Sequence, residues 1–156
     1  MSMSNAFSKE PDGNEIFEDL GDRPLSPHRN LVTPEGLAQI EAEVERLRVE
    51  MAKAESARDR AAIAKTSRDL RYWSARRANA ELIQPIKDHD EVRFGHTVTL
   101  KLADGKTQTF RIVGEDEADP AHGTIPYVAP LAHSMLGKSV GDVVKFHGDA
   151  EIVKIA

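Results

Sequence analysis

The stretch Ile112–Val143, IVGEDEADPAHGTIPYVAPLAHSMLGKSVGDV, carries the signals that decide the fold. Its apolar run Ile125–Val128 predicts a short strand, and Pro130–Leu136 predicts a single helical stretch that Gly137 closes. A further strand is expected at Val143–Phe146. Short strands interrupted by one helix are typical of a small α+β module.

Strands on either side of this stretch complete the expected sheet. The run His96–Leu102 alternates apolar and polar residues, and Thr107–Val113 does the same after an Asp-Gly pair at 104–105 that is typical of a hairpin turn. Glu151–Ile155 gives a last short strand. The sequence therefore predicts a small antiparallel β domain with one short helix over residues 90–156.

A helical segment precedes the sheet. No proline interrupts the chain between Pro34 and Pro85, and Thr33 followed by Pro34 and Glu35 is a typical helix start. Apolar residues then recur at alternating spacings of three and four, the heptad pattern of a helix that packs along a partner helix. These residues are Leu37, Ile40, Val44, Leu47, Met51 and Ala54.

The partner helix is expected to come from the same chain. A turn near Glu55–Arg60 would divide the segment into two arms, the second running from about Arg60 to Ile83. The first arm is acidic and the second is basic, which favours an antiparallel hairpin within one chain over a homodimeric coil. We therefore predict a helical hairpin, or coiled coil, over residues 31–86 of a monomeric protein.

Residues 1–30 have a different composition. They combine Pro, Gly, Ser and acidic residues with a few isolated apolar side chains, which predicts a flexible N-terminal tail. They contain no apolar stretch of the length that a signal peptide needs, and nowhere in the chain do about 18 apolar residues run together. Since the chain also has no cysteine, as suits a reducing compartment, we expect a cytoplasmic protein that does not bind membranes.

The charge and the motifs exclude several function classes. A net charge of −5 argues against a general electrostatic grip on nucleic acid and favours a protein partner. The six histidines show no zinc-binding spacing, and neither a phosphate-binding loop nor a nucleophile elbow is present. We therefore expect no catalytic residue and no metal site, and we interpret the chain as a protein that is not itself an enzyme.

Several motifs together resemble one family. They are Thr33-Pro34-Glu35-Gly36-Leu37, Phe94-Gly95 before Thr97-Val98, Ile112-Val113-Gly114 followed by Glu117-Ala118-Asp119, Pro130-Leu131-Ala132, Leu136-Gly137-Lys138 and Gly141-Asp142-Val143. Over residues 31–156 the chain resembles the bacterial GreA/GreB transcription elongation factors. The resemblance implies an FKBP-like C-terminal domain that docks at the rim of the RNA polymerase secondary channel, with the coiled coil inserted toward the active site. It implies contact with nucleic acid only within that complex.

The resemblance also implies what a cleavage factor needs at its hairpin tip. In such factors two tip carboxylates help to hold a second Mg²⁺ at the polymerase centre, where the metal activates water to cut a backtracked transcript. The tip signature of the Asp-Leu-x-x-Glu-Asn type is absent from this chain. Glu55 and Asp59 are the nearest carboxylates to the expected turn, and Arg58 and Arg60 flank Asp59. We expect no cofactor of the protein's own, and at most indirect contact with the polymerase Mg²⁺.

A shortened hairpin suggests a related interpretation. Compared with the family's usual coiled coil, each arm is shorter by roughly ten residues, which removes about 15 Å of reach. The chain is in this respect similar to the regulator of nucleoside diphosphate kinase (Rnk), a relative that binds polymerase without the cleavage chemistry. We therefore predict modulation of elongation without strong stimulation of cleavage. The alternatives are a Rnk-like competitor of true Gre factors and a prolyl isomerase of the FKBP type.

An acidic loop follows the second predicted strand of the sheet. It contains Glu115, Asp116, Glu117 and Asp119, and Pro120 comes directly after them. The resemblance implies that this loop contacts the polymerase rim, with Asp119 and Pro120 as the best candidates for docking. The residues alone are equally compatible with a solvated loop. A calcium loop is disfavoured because the alternating oxygen ligands and the turn glycine of an EF-hand are absent.

Overall fold

The computed structural model describes residues 21–156, and these residues form two compact units. One unit contains Ile40–Ala78 together with the described residues up to Leu25, and the other contains Ser26–Gln39 and Asn79–Ala156. The predicted tail falls mainly on residues 1–20, which lie outside the described residues. No helix within 21–156 is long and apolar enough to cross a membrane.

The first unit is built on two helices. Helix α1 spans Pro34–Ser56, of which Ile40–Ser56 belong to this unit, and helix α2 spans Arg60–Ala78, so the predicted helical hairpin is confirmed. The heptad pattern of α1 correctly identified most of the buried side chains of this unit. Those with at most 7% exposure are Ile40, Val44, Leu47 and Ala54.

The turn of the hairpin lies at residues 57–59, inside the range expected from the sequence. The Arg58 N–H donates to the Glu55 carbonyl oxygen at 3.1 Å, and the Asp59 N–H donates to the Ala54 carbonyl oxygen at 3.0 Å. Arg58 has a φ of 53°, in the left-handed region. These bonds are those of a Schellman motif, in which glycine usually takes the left-handed position. Because Arg58 takes the position that glycine usually fills, the sequence carried no glycine signal for this turn.

The second unit contains a five-stranded sheet. Its strands are β3 (Thr97–Lys101), β4 (Thr107–Val113), β5 (Thr124–Pro126), β6 (Val143–Lys145) and β7 (Asp149–Ile155), in the order β5-β4-β3-β7-β6. Each lies within two residues of a strand expected from the sequence. The pairing is antiparallel except at β4 and β5, which run parallel. The sheet is therefore mixed rather than antiparallel throughout, because the loop after β4 includes a 3-10 turn at Pro120–His122 that carries the chain back before β5 begins.

One face of this sheet carries the core of the second unit. Helix α3, Pro130–Met135, buries Ala132 and Met135 completely. Ala132 and Met135 pack in one cluster with Val92 and with buried residues of the five strands. The strand residues of this cluster, each at most 8% exposed, are Val98, Leu100, Ile112, Ile125, Val144, Ala150, Ile152 and Ile155. The opposite face is more polar, and there Thr99 and Thr109 hydrogen-bond across β3 and β4 at 3.1 Å.

A two-stranded parallel ladder was not expected from the sequence. Strand β1, Asn30–Val32, pairs with strand β2, Ala80–Leu82. Helix α2 therefore ends at Ala78 instead of continuing toward Ile83, whose N–H donates to the Val32 carbonyl oxygen at 2.9 Å. Three-residue strands so far apart in the chain have no periodic signal of their own, which is why the end of the second arm was predicted wrongly.

Candidate functional site

The acidic loop leaves the end of β4 and leads to β5, as predicted. Its carboxylates fall into two groups with different surroundings. Glu115, Asp116 and Glu117 are half-buried, whereas Asp119 and Pro120 are exposed. The resemblance favoured Asp119 and Pro120, but the sequence could not show the burial of Glu117, because its partner Thr33 lies 84 positions away in the chain.

The Glu117 carboxylate accepts three hydrogen bonds from its own unit. Its Oε2 accepts from the N–H of Thr33 at 3.0 Å and from the N–H of Gly114 at 3.1 Å. Its Oε1 accepts from the hydroxyl of Thr33 at 2.5 Å. The Thr33 side chain in turn accepts from the N–H of Gly36 at 3.0 Å, which makes Thr33 the N-cap of α1. A carboxylate at this end of a helix also faces the positive end of the helix dipole.

Gly36 explains how the carboxylate can approach so closely. A Cβ built at Gly36 would overlap the carboxylate group of Glu117. Only glycine leaves this space open, although glycine within a helix ordinarily costs stability. Glu117 is therefore part of the internal structure of the second unit. The sequence identified Thr33 as a helix start but gave no sign that Thr33 and Gly36 contact Glu117. A glycine in the first turn of a strongly predicted helix indicates a close approach at that point, but it does not identify the residue that approaches.

The neighbouring loop residues make lighter contacts. Glu115 accepts a hydrogen bond from the hydroxyl of Ser26 at 2.7 Å. The Glu35 carboxylate, which belongs to the same unit, lies 3.0 Å from the Arg111 guanidinium. Arg111 also donates from Nε to the carbonyl oxygen of Gly95 at 3.1 Å. The residues near the start of the loop are therefore held by one ion pair, between Glu35 and Arg111, and by the hydrogen bonds of Glu115 and Arg111.

Asp119 and Pro120 form the exposed part of the loop. The Asp119 side chain is 55% exposed, and its Oδ2 lies 2.6 Å from Nδ1 of His122, which is 81% exposed. Its backbone is fixed, because the Asp119 N–H donates to the Thr124 hydroxyl at 2.7 Å and Pro120 opens the 3-10 turn. The result is a rigid backbone that presents a carboxylate and a proline ring to solvent.

The two carboxylates at the hairpin tip have distinct local roles. Asp59 is the N-cap of α2, since its Oδ1 accepts from the N–H of Ala62 at 3.1 Å and its carbonyl oxygen accepts from Ile63 at 2.9 Å. Glu55 lies in the last turn of α1, and its side chain is exposed. Within residues 21–156 no group of three or more His, Asp or Glu residues is arranged to hold a metal ion.

A buried histidine fixes the segment that enters the sheet. His96 is 1% exposed, and its Nδ1 accepts from the Arg93 N–H at 3.0 Å. Its Nε2 lies 2.7 Å from the carbonyl oxygen of Ile86, so Nε2 carries the proton that it donates. The spacing of the histidines along the sequence gave no sign of this role.

Comparison with known proteins finds relatives of residues 87–156, which lie in the second unit. Residues 87–156 match the family model described as "Transcription elongation factor, GreA/GreB, C-term". The chain is 41% identical over 85 residues to the transcription elongation factor GreA of Helicobacter pylori (strain G27), an alignment that covers 50% of this chain and 52% of that protein. It is 43% identical over 81 residues to GreA of Geobacillus kaustophilus, covering 49% of this chain and 51% of that one.

The chain thus spans about half the length of the curated relatives that it matches. Among solved structures it is similar to the GreA factor homolog 1 (Gfh1) protein of Thermus thermophilus, with 18% identity and a TM-score of 0.38, covering 83% of this chain and 99% of that one. It is also similar to GreA/GreB from Nitrosomonas europaea, with 20% identity and a TM-score of 0.40, covering 81% and 98%. Residues 87–156 of this chain are thus similar to the C-terminal domain of the GreA/GreB transcription elongation factors.

Proposed function

We propose that this protein is a transcription elongation factor of the GreA/GreB type that binds bacterial RNA polymerase at the secondary channel. It modulates elongation without strong stimulation of transcript cleavage. It acts as a monomer in the bacterial cytoplasm and is not itself an enzyme. The observation that carries the proposal is the match of residues 87–156 to the C-terminal domain of this family.

The exposed part of the acidic loop supplies the docking contact in this proposal. Asp119 and Pro120 face solvent on a backbone fixed by hydrogen bonds, so they would bind a basic rim with little further ordering. Glu117 supports the loop from inside, because its carboxylate is occupied by Thr33 and Gly114. We therefore assign the rim contact to Asp119 and Pro120, and a supporting role to Glu117.

The chemistry of the hairpin tip supports weak cleavage. A pair of carboxylates that helps to hold a Mg²⁺ must offer free oxygens close together. One Asp59 oxygen already caps α2, and Arg58 and Arg60 stand on either side of it. These cations disfavour a second metal at the tip. Any contact with the polymerase Mg²⁺ is then indirect, and the protein brings no cofactor of its own.

The length of the hairpin supports the same conclusion. Helix α1 has 23 residues and α2 has 19, which correspond to about 34 Å and about 28 Å at the usual rise. A hairpin of this length could occupy the secondary channel, but it is too short to bring a carboxylate to the polymerase active site. The Rnk-like alternative, competition with a true cleavage factor, follows from the same observation.

Binding to polymerase tests the docking part of the proposal. The protein should bind core bacterial RNA polymerase, and Asp119→Ala and Pro120→Ala should each weaken that binding at least several-fold. Asp104→Ala is a matched control, because Asp104 is an exposed acid in another loop of the same domain. Unchanged affinity in both loop variants would refute the docking assignment, and no affinity in the unaltered protein would refute the proposed function.

Transcript cleavage tests the tip. With a backtracked polymerase complex, the unaltered protein should add little cleavage, and it should reduce cleavage when it competes with an authentic cleavage factor. Strong cleavage that disappears in the Glu55→Ala and Asp59→Ala double variant would contradict our view of the tip. Cleavage by polymerase alone provides the baseline.

A further inference from the structure

The chain just before the second unit runs beside the second helix of the hairpin. Residues 21–25, which we call the strap, have no regular secondary structure, yet two of their side chains contact α2. Asp22 Oδ1 accepts from Arg71 Nε at 2.7 Å. Arg23 Nη1 donates to Asp69 Oδ1 at 3.3 Å. Strap and helix belong to the same compact unit.

Arg23 makes the most specific of these contacts. Its guanidinium carbon lies 3.9 Å above the centre of the Tyr72 ring and 5.9 Å from that of Trp73. The two rings meet edge to face with their centres 5.1 Å apart. The Asp69 side chain is only 16% exposed, and the Arg23 side chain is 35% exposed. Arg23 therefore sits between a carboxylate and an aromatic surface.

This combination selects a guanidinium group. A planar guanidinium can stack on an aromatic ring while its N–H groups donate to a carboxylate, whereas an ammonium group cannot do both with the same geometry. Tyrosine and tryptophan also contribute strongly wherever they become part of a protein interface. The face formed by Asp69, Tyr72 and Trp73, which we call the arginine site, is thus suited to an arginine of either this chain or a partner.

The contacts that hold the strap are individually weak. The pair formed by Asp22 and Arg71 is exposed, with side-chain exposures of 70% and 54%, and such pairs add little stability. Leu25, the last residue of the strap, remains 47% exposed. The strap therefore depends mainly on Arg23, and loss of that one side chain should release it.

We propose that the strap is a reversible cover, in which Arg23 occupies the arginine site until an arginine on the surface of RNA polymerase replaces it. This proposal rests on the proposed function for the identity of the partner. The closed strap keeps Tyr72 and Trp73 from the partner, so binding requires it to open. The measured affinity is then lowered by the fraction of molecules in which the strap is closed.

The state of the strap can be measured without polymerase. The chain has no cysteine and one tryptophan, so a bimane dye on Leu25→Cys would report the proximity of Trp73 through quenching. Quenching should be strong in the Leu25→Cys protein and should fall when Arg23→Ala is added. Arg29→Ala is the matched control and should leave quenching unchanged, because Arg29 pairs with Glu81 in the other unit. Equal quenching in all three proteins would refute the proposal that Arg23 holds the strap against α2.

Polymerase affinity tests the regulatory part. Arg23→Ala should bind core polymerase about tenfold more tightly than the unaltered protein, the gain expected if one cation–π contact and one ion pair hold the strap closed. Asp69→Asn should weaken binding even when Arg23→Ala is present, because the arginine site itself is impaired. Loss of quenching without a gain in affinity would refute the regulatory role. Absence of polymerase binding in every variant would instead refute the proposed function, while the quenching result would still decide on the strap.

Discussion

Replacement of Glu117 by alanine should destabilise the second unit far more than the removal of any other acid of the same loop. The change removes the acceptor for two backbone donors, the N–H groups of Thr33 and Gly114, both of which are buried. A buried donor left without a partner costs about 1–3 kcal/mol, so we expect a loss of about 3 kcal/mol in the free energy of unfolding. Glu115→Ala removes one hydrogen bond with half-buried Ser26 and should cost about 0.5 kcal/mol.

Gly36 allows the same reasoning to be tested by a double-mutant cycle. In the unaltered protein Gly36→Ala should destabilise, because the added methyl group displaces the Glu117 carboxylate. Once Glu117→Ala has removed that carboxylate, the same Gly36→Ala change should become neutral or stabilise by about 0.5 kcal/mol through helix propensity. The two substitutions should therefore couple strongly.

Urea unfolding followed by circular dichroism measures all four proteins of the cycle. Far-ultraviolet signals report the helices, and the midpoint and slope together give the free energy of unfolding. A cost for Glu117→Ala no larger than that for Glu115→Ala would refute the structural role of Glu117. Additive effects of the two substitutions would refute the close approach of its carboxylate to Gly36.

Three further predictions concern other sites. Arg58→Gly should raise the free energy of unfolding by about 1 kcal/mol in the same urea assay, because glycine takes the left-handed conformation without strain, and a loss would contradict the turn geometry. The hydrogen bond from Arg29 lowers the pKa of Glu81, so the stabilisation from this pair is present above the ordinary glutamate pKa and disappears as the pH falls through the lowered one. An NMR titration of Glu81 should show the lowered midpoint, and Arg29→Ala should return it to the usual range; a midpoint unaffected by that change would exclude this cause. His96→Phe should cost about 2 kcal/mol because it removes both hydrogen bonds of the buried His96 side chain, to the Ile86 carbonyl oxygen and from the Arg93 N–H, each worth about 1 kcal/mol; an unaltered urea midpoint would rule this out.

Periodic sequence signals located most of the fold. The buried residues of α1 from Ile40 to Ala54 recur at spacings of three and four, and those of β3 and β4 alternate at a spacing of two. These spacings follow directly from the geometry of helices and strands. The β1 and β2 ladder and the parallel pairing of β5 have no comparable signal, because short strands are specified by what they pack against.

The candidate site was predictable to a smaller extent. The sequence placed the acidic loop and the tip in the correct connections, and the resemblance favoured Asp119 and Pro120 for docking. Nothing in the sequence indicated that Glu117 faces Thr33. Asp59 followed by a helix could have been identified as an N-cap from local rules alone. The partner of Glu117 could not, since it is a long-range contact between residues separated by 84 positions.

That separation has a consequence for the order of events during synthesis. Helix α1 emerges from the ribosome long before Glu117 does, so its first turn must initially form without the carboxylate that later anchors Thr33. Pulse-labelling of nascent chains by hydrogen exchange should find the amide of Thr33 unprotected until the β4 to β5 loop has left the exit tunnel. The start of α1 is thus anchored only after a residue 84 positions further along the chain has been added.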